Sequence, residues 1–116
     1  MPMRDLIKIF KALSDRNRLR ILKMLEIKPL CVCEITEVLQ LAASTVSKHL
    51  SLLRDVNLIM DEKEGKWVIY RLNKTDTDEQ IKKLLPQLSA WLSTDPTILK
   101  DLEKVKTVNR YKICGG

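Results

Sequence analysis

CVCEITEVLQLAASTVSKHLSLLRD, Cys31 to Asp55, decides the fold. Ile35, Val38 and Leu39 recur at helical spacing over Cys33–Leu39, and Val46, Leu50 and Leu53 do the same over Ser44–Asp55. Gln40–Ala43 between them is a short turn, so the pair reads as a helix-turn-helix. On its second helix Ser44, Thr45, Ser47, Lys48 and His49 lie away from the apolar side. Small hydroxyls permit close approach to base edges, Lys48 can reach a phosphate or a guanine edge, and His49 can donate to either. The plainer alternative for His49 is a structural or solvated role.

Outward from this stretch, Leu6, Ile7, Phe10 and Leu13 give Met3–Leu13 one apolar stripe. Ser14-Asp15 offers an N-cap for a second helix over Asp15–Leu25, where Arg16, Arg18, Arg20 and Lys23 make a basic face that either meets phosphates or is solvated. Pro29 ends that element. Downstream, Leu58–Leu72 reads as a β-hairpin with Gly65 in its turn, a wing whose tip carries Lys63 and Lys66 for phosphates. Arg71 joins them or pairs with a carboxylate of the same domain. Thr77 or Asp78 opens a fifth helix that runs to Leu92, with Pro86 expected to kink or split it. Asp95-Pro96 opens a sixth helix through Val108, and 109–116 reads as a flexible tail carrying Cys114.

The chain is expected to be one domain of 116 residues, mainly α with a β-hairpin. Residues 14–72 form a winged helix-turn-helix DNA-binding core, its wing at 58–72. Residues 1–13 and 77–108 carry more apolar stripe than that core needs, so they are assigned to a homodimer interface. Two-fold readers place their recognition helices about 34 Å apart, one turn of DNA. A net charge of +6 suits a polyanionic partner without proving one. No apolar run approaches the ~20 residues of a membrane span and no signal-peptide pattern opens the chain, so a cytoplasmic location without membrane attachment is expected.

Three cysteines, Cys31, Cys33 and Cys114, make an odd set unlike a secreted disulfide framework. Thiolates suit thiophilic ions, and a helix N-terminus is expected to lower the pKa of Cys31 and Cys33. Side chains two apart on a regular helix point to different sides, so one ion could join both sulfurs only if the helix start unwinds. Such a distortion would re-aim the following helix. The alternatives are a thiol-redox switch, or two small buried residues with no chemistry. An enzyme is not expected: a thiol oxidoreductase would want CxxC and a βαβ pattern, and neither is present.

FKALSDRNRLRILKML, CVCEI, STVSKHLSLLRDVNLI and EGKWVIYRL, in order through residues 9–72, resemble the ArsR/SmtB family of metal-sensing winged-helix repressors. The resemblance implies a homodimeric repressor that leaves operator DNA when a toxic metal or metalloid binds. By position it implicates Ser47, Lys48 and His49 in DNA contact. Many arsenic sensors of the family place a third cysteine where this chain has Thr36, so the third ligand is expected to be Cys114, from either subunit, or an exogenous thiol or solvent. The resemblance implies As(III) or Sb(III) as inducer, with a Cd(II)/Pb(II) sensor of the same fold as the alternative. The family's zinc site on the fifth helix is absent, because 77–94 contain no histidine. Where relatives often carry Ser-Gln-Pro, this chain has Ala42-Ala43-Ser44; Ser44 is expected to cap the recognition helix and start it later.

Overall fold

The computed structural model describes residues 1–74 and 78–113. Its elements are α1 (Met3–Leu13), α2 (Arg16–Leu25), β1 (Leu30–Cys31), α3 (Val32–Leu39), α4 (Ala43–Asp55), β2 (Ile59–Glu64), β3 (Trp67–Leu72), α5 (Glu79–Ala90), α6 (Pro96–Thr107) and α7 (Arg110–Ile113). This is a winged helix-turn-helix, with α3 and α4 as the pair and β2–β3 as the wing. The wing is not a lone hairpin. β1 adds to it in the order β1-β3-β2, all antiparallel, with Leu30 opposite Tyr70 and Cys31 opposite Ile69. Two residues are too few to show a period, which hid β1 in the sequence.

The core forms where the inner faces of α2, α3 and α4 meet. Ile21, Leu22, Met24, Ile35, Val46, Leu50 and Leu53 are sealed there, with Leu30, Leu58 and Ile59 from the sheet edge. Ile81, Leu85 and Leu88 of α5 and Val105 of α6 close the far side. The apolar stripe of α1 does not face this core. Ile9 and Ala12 point inward, while Leu6, Ile7 and Phe10 stay exposed.

Helix starts follow the sequence in three of the four cases that matter. Asp15 caps α2 by accepting from the Asn17 and Arg18 amides at 2.8 and 3.0 Å. Asp78 and Asp95 cap α5 and α6, with Pro96 in the first turn of α6 where its missing N–H costs nothing. Asp78, not Thr77, thus opens α5; Thr77 lies outside the described residues. The exception is α4, which begins at Ala43 with Ala42 at the cap position and no side-chain cap bond. Ser44 is inside the first turn and does not delay it.

Pro86 neither splits nor ends α5, which is continuous to Ala90. Pro86 lies on the exposed side of the helix, where its ring does not crowd the core. The C-terminus of α5 is held by a buried lysine. Lys23 Nζ donates to the carbonyls of Leu88, Ser89 and Trp91 at 3.0, 3.3 and 2.9 Å and pairs with Glu26 at 2.9 Å. The stretch expected to be a flexible tail carries the one-turn helix α7 over Arg110–Ile113, packed on α3.

The turn of the helix pair is held by Gln40, whose φ of 57° and ψ of 44° put a non-glycine residue in the left-handed region at the end of α3. Gln40→Gly removes the Cβ clash and is expected to stabilise the fold by about 0.5–1 kcal/mol. A urea midpoint that falls instead would show that the Gln40 Nε2 bond to the Glu37 carbonyl outweighs the backbone strain.

Candidate nucleic-acid interface and thiol site

The side chains expected to read DNA come from one face of α4. Val46, Leu50 and Leu53 are anchored in the core, which leaves Ser44, Thr45, Ser47 and Lys48 exposed together near the helix N-terminus. His49 sits differently. It is half-buried, and its Nδ1 lies 3.1 Å from Arg18 Nη1. A guanidinium only donates, so Nδ1 accepts and the ring proton is on Nε2, the one polar atom left to His49 for another partner. Arg18 also donates to the carbonyls of Ala12 and Lys11 at 2.7 and 3.1 Å, so it ties the end of α1 to the recognition helix.

The other cations of α2 are likewise engaged within the chain. Arg16 donates to Thr97 at 3.0 Å, and Arg20 grips Asp101 through Nε and Nη2 at 2.7 and 2.9 Å. With Lys23 on α5, the basic face of α2 is a set of interhelical ties. Wing residues Lys63 and Lys66 are exposed at the hairpin tip, with Lys66 Nζ also 5.1 Å from the Trp67 ring centroid. The wing is of mixed charge, because Arg71 pairs with Glu62 at 3.4 Å and lies 3.9 Å from Glu64.

At the start of α3 the two cysteines meet: Cys31 Sγ and Cys33 Sγ are 3.1 Å apart. The expectation that they point apart fails because Cys31 is not helical. It is the N-cap, with φ −93° and ψ 169°, and this extended backbone turns its side chain over the first turn toward Cys33. The sulfurs come together without unwinding. A capping box fixes the arrangement. The Glu34 amide points at the Cys31 sulfur, and the Cys31 N–H donates to Glu34 Oε1 at 2.9 Å. The same Oε1 accepts from Arg110 Nε at 3.2 Å, and Glu34 is 2 % exposed.

Cys31 is 1 % exposed. Burial pushes its thiol up from the ordinary value, and the Glu34 carboxylate adds to this; the Glu34 and Cys33 amides favour the thiolate but do not offset it. The expected lowering by the helix N-terminus therefore does not hold for Cys31. Thr36 takes no part, since its hydroxyl donates to the Cys33 carbonyl at 2.8 Å. Among the described residues no group of three Cys, His, Asp or Glu side chains could hold a metal ion, and Cys114 lies outside those residues. Among them, too, no helix is long and apolar enough to cross a membrane.

Residues 15–60 match the family described as "Bacterial regulatory protein, arsR family". The chain is 36% identical to the arsenical resistance operon repressor of Escherichia coli over 90% of its length and 81% of that protein. It is 40% identical to a cadmium resistance transcriptional regulatory protein CadC homolog of Staphylococcus aureus, over 72% of this chain and 66% of that one. Among solved structures it resembles reduced HlyU of Vibrio cholerae, with TM-score 0.64, 31% identity, and 78% of this chain and 90% of that one aligned.

Proposed function

The chain belongs to the arsR family of bacterial regulatory proteins, DNA-binding regulators of transcription and not enzymes, and on that premise we propose that it is a homodimeric repressor released from its operator by As(III) or Sb(III) at Cys31 and Cys33. Each protomer reads the major groove with Ser44, Thr45, Ser47 and Lys48, aided by His49 Nε2, and lays Lys63 and Lys66 of the wing on phosphates. The dimer buries the outer stripe of α1, where Met3, Leu6, Ile7 and Phe10 are 77, 41, 44 and 57 % exposed, together with the exposed Leu99 of α6. So large an apolar stripe on so small a chain is what a second copy would cover.

The observation that carries the inducer assignment is a pair of sulfurs in contact at a buried site where one is held as the thiol. Arsenous acid condenses with thiols: each As–O bond is replaced by As–S, and the hydroxide leaves with the thiol's proton as water. Cys33 is disulfide-bonded in this structure, so a reductant must first return it to the thiol. The condensation itself needs no oxidant and releases no net proton, so a raised thiol pKa does not oppose it. A bare dication must instead expel each thiol proton to solvent. Cys114, from either subunit, supplies the third As–S bond, or an exogenous thiol does. The relatives named for arsenic resistance support this chemistry.

The test is fluorescence anisotropy on DNA from upstream of the chain's own gene, with the protein kept reduced by a phosphine. Arsenite is expected to release the native protein but not Cys33→Ser, and Cys114→Ser decides the third bond. Cd(II) affinity is expected to climb with pH, up to ~10-fold per unit for each proton expelled, while arsenite affinity stays level between about pH 6 and about pH 8. Release by peroxide alone would make the thiols a redox switch instead.

A further inference from the structure

The short helix α7 touches both halves of the proposed mechanism. On one side, Arg110 Nε donates to Glu34 Oε1, the oxygen that also accepts the Cys31 N–H. On the other, the Arg110 guanidinium lies 5.9 Å from the Trp67 ring centroid, and its Nη1 is 4.0 Å from Glu64 Oε2. Tyr111 packs edge-on against the same Trp67, centroids 4.8 Å apart and planes at 82°. Glu64 and Trp67 are opposite one another at the tip end of the wing ladder. One arginine side chain therefore spans from the cap of the thiol site to the base of the wing turn. Val108, just before it, is pinned by Lys28 Nζ on its carbonyl at 3.0 Å, so the segment is tied from behind as well.

We propose that Arg110 is a positioning residue that transmits the state of the Cys31–Cys33 pair to the DNA-contacting wing. This rests on the reading of that pair as the inducer site. The chemistry of the cap makes the link directional. Pyramidal three-coordinate As(III) bonded to both sulfurs must be seated between Cys31 Sγ and Cys33 Sγ, which stand only 3.1 Å apart here. The S–As bond takes the place of the Cys31 S–H bond and so fixes the direction of the lone pair at which the Glu34 amide points. Cys31 must therefore move as the cap of α3, and Glu34, bonded to its N–H, moves with it or lets go. Glu34 is buried and Arg110 is its only ion-pair partner among the described residues, so a shift of the carboxylate shifts the guanidinium. The guanidinium and Tyr111 together hold Trp67, so the wing is re-aimed. The two states differ in how well α7 packs, which is the differential contact that a coupling free energy requires.

The experiment uses the full chain in a Trp91→Phe background, so that Trp67 is the sole tryptophan. Arsenite is titrated with three readouts: sulfur-to-arsenic absorbance, operator anisotropy and Trp67 emission. With Arg110 present, all three are expected to share one midpoint. Arg110→Met is expected to bind arsenite and inducer-free operator normally, yet its ratio of operator affinities without and with arsenite should drop from ~10-fold or more to below ~2-fold. Its Trp67 emission should no longer follow arsenite. Arg110→Lys, which keeps the charge but not the fork, should recover part of the ratio. Release by arsenite in Arg110→Met as in native protein, or an unresponsive Trp67 in native protein that does release, overturns the role of Arg110 alone. Absence of sulfur-to-arsenic absorbance in native protein overturns the inducer assignment and this inference with it. An Arg110→Met protein that fails to bind operator without arsenite also overturns it, since the residue would then be structural.

Discussion

Asp101→Ala is expected to cost about 3–5 kcal/mol of unfolding free energy. Asp101 is 2 % exposed on α6 and meets Arg20 of α2 through two parallel bonds. The carboxylate in turn holds the Arg20 guanidinium above its ordinary pKa, against the opposing effect of burial. Truncation leaves a half-buried guanidinium with Asn17 Oδ1 as its remaining side-chain partner, at 3.1 Å. It also opens the seam between α2 and α6. Most of that cost is the stranded charge, not the worth of the pair, so Arg20→Met with Asp101→Leu should recover the greater part of it. Urea unfolding of both singles and the double decides the matter. A loss below about 1 kcal/mol in Asp101→Ala would mean that water reaches Arg20 and that the seam is held by apolar packing alone.

Operator affinity is expected to fall steeply with salt. On the proposed interface Lys48, Lys63 and Lys66 from each of two protomers would present six cations to phosphate, for a log–log slope near −5 and about a thousandfold loss between ~50 and ~200 mM salt. If Lys48 meets phosphate, Lys48→Ala should flatten the slope by about 2, one cation for each protomer, and weaken all sequences alike. If Lys48 instead reads a guanine edge, the slope changes less and discrimination at one base pair in each half-site drops by ~1–3 kcal/mol. Anisotropy on the operator and on single-base variants at several salt concentrations separates the two. A salt-independent affinity would remove the whole proposed face.

What could be read in the sequence was what is local. Helical periodicity marked α3 and α4, Asp15 and Asp95 announced their helices, and Gly65 with its β-prone flanks marked the wing, where its φ of 60° suits the turn. The features that escaped are all made across the chain. The two-residue β1 exists only because β3 lies beside it. Lys23 looked like a solvated cation until α5, 65 residues further on, turned its carbonyls toward it. α7 reads as a frayed end because its partners, Glu34 and Trp67, lie 76 and more than 40 residues away. The cysteine geometry was misjudged for a smaller reason. Regular helical spacing was applied back to Cys31, although the helix was expected to begin only at Cys33; it begins at Val32, and Cys31 is its extended cap, which brings the sulfurs together.

That capping backbone has a bearing on how inducer choice can change over evolution. An N-cap accepts serine, threonine, aspartate and asparagine more readily than any other position of a helix. Replacing the sulfur of Cys31 by oxygen would therefore leave the start of α3, and with it the aim of α4, intact. The proposed donor set would lose one of its sulfurs and gain a hard oxygen, which weakens its preference for thiophilic ions. If the pair senses as proposed, one codon at the cap tunes the sensing site while the helix that faces DNA keeps its aim.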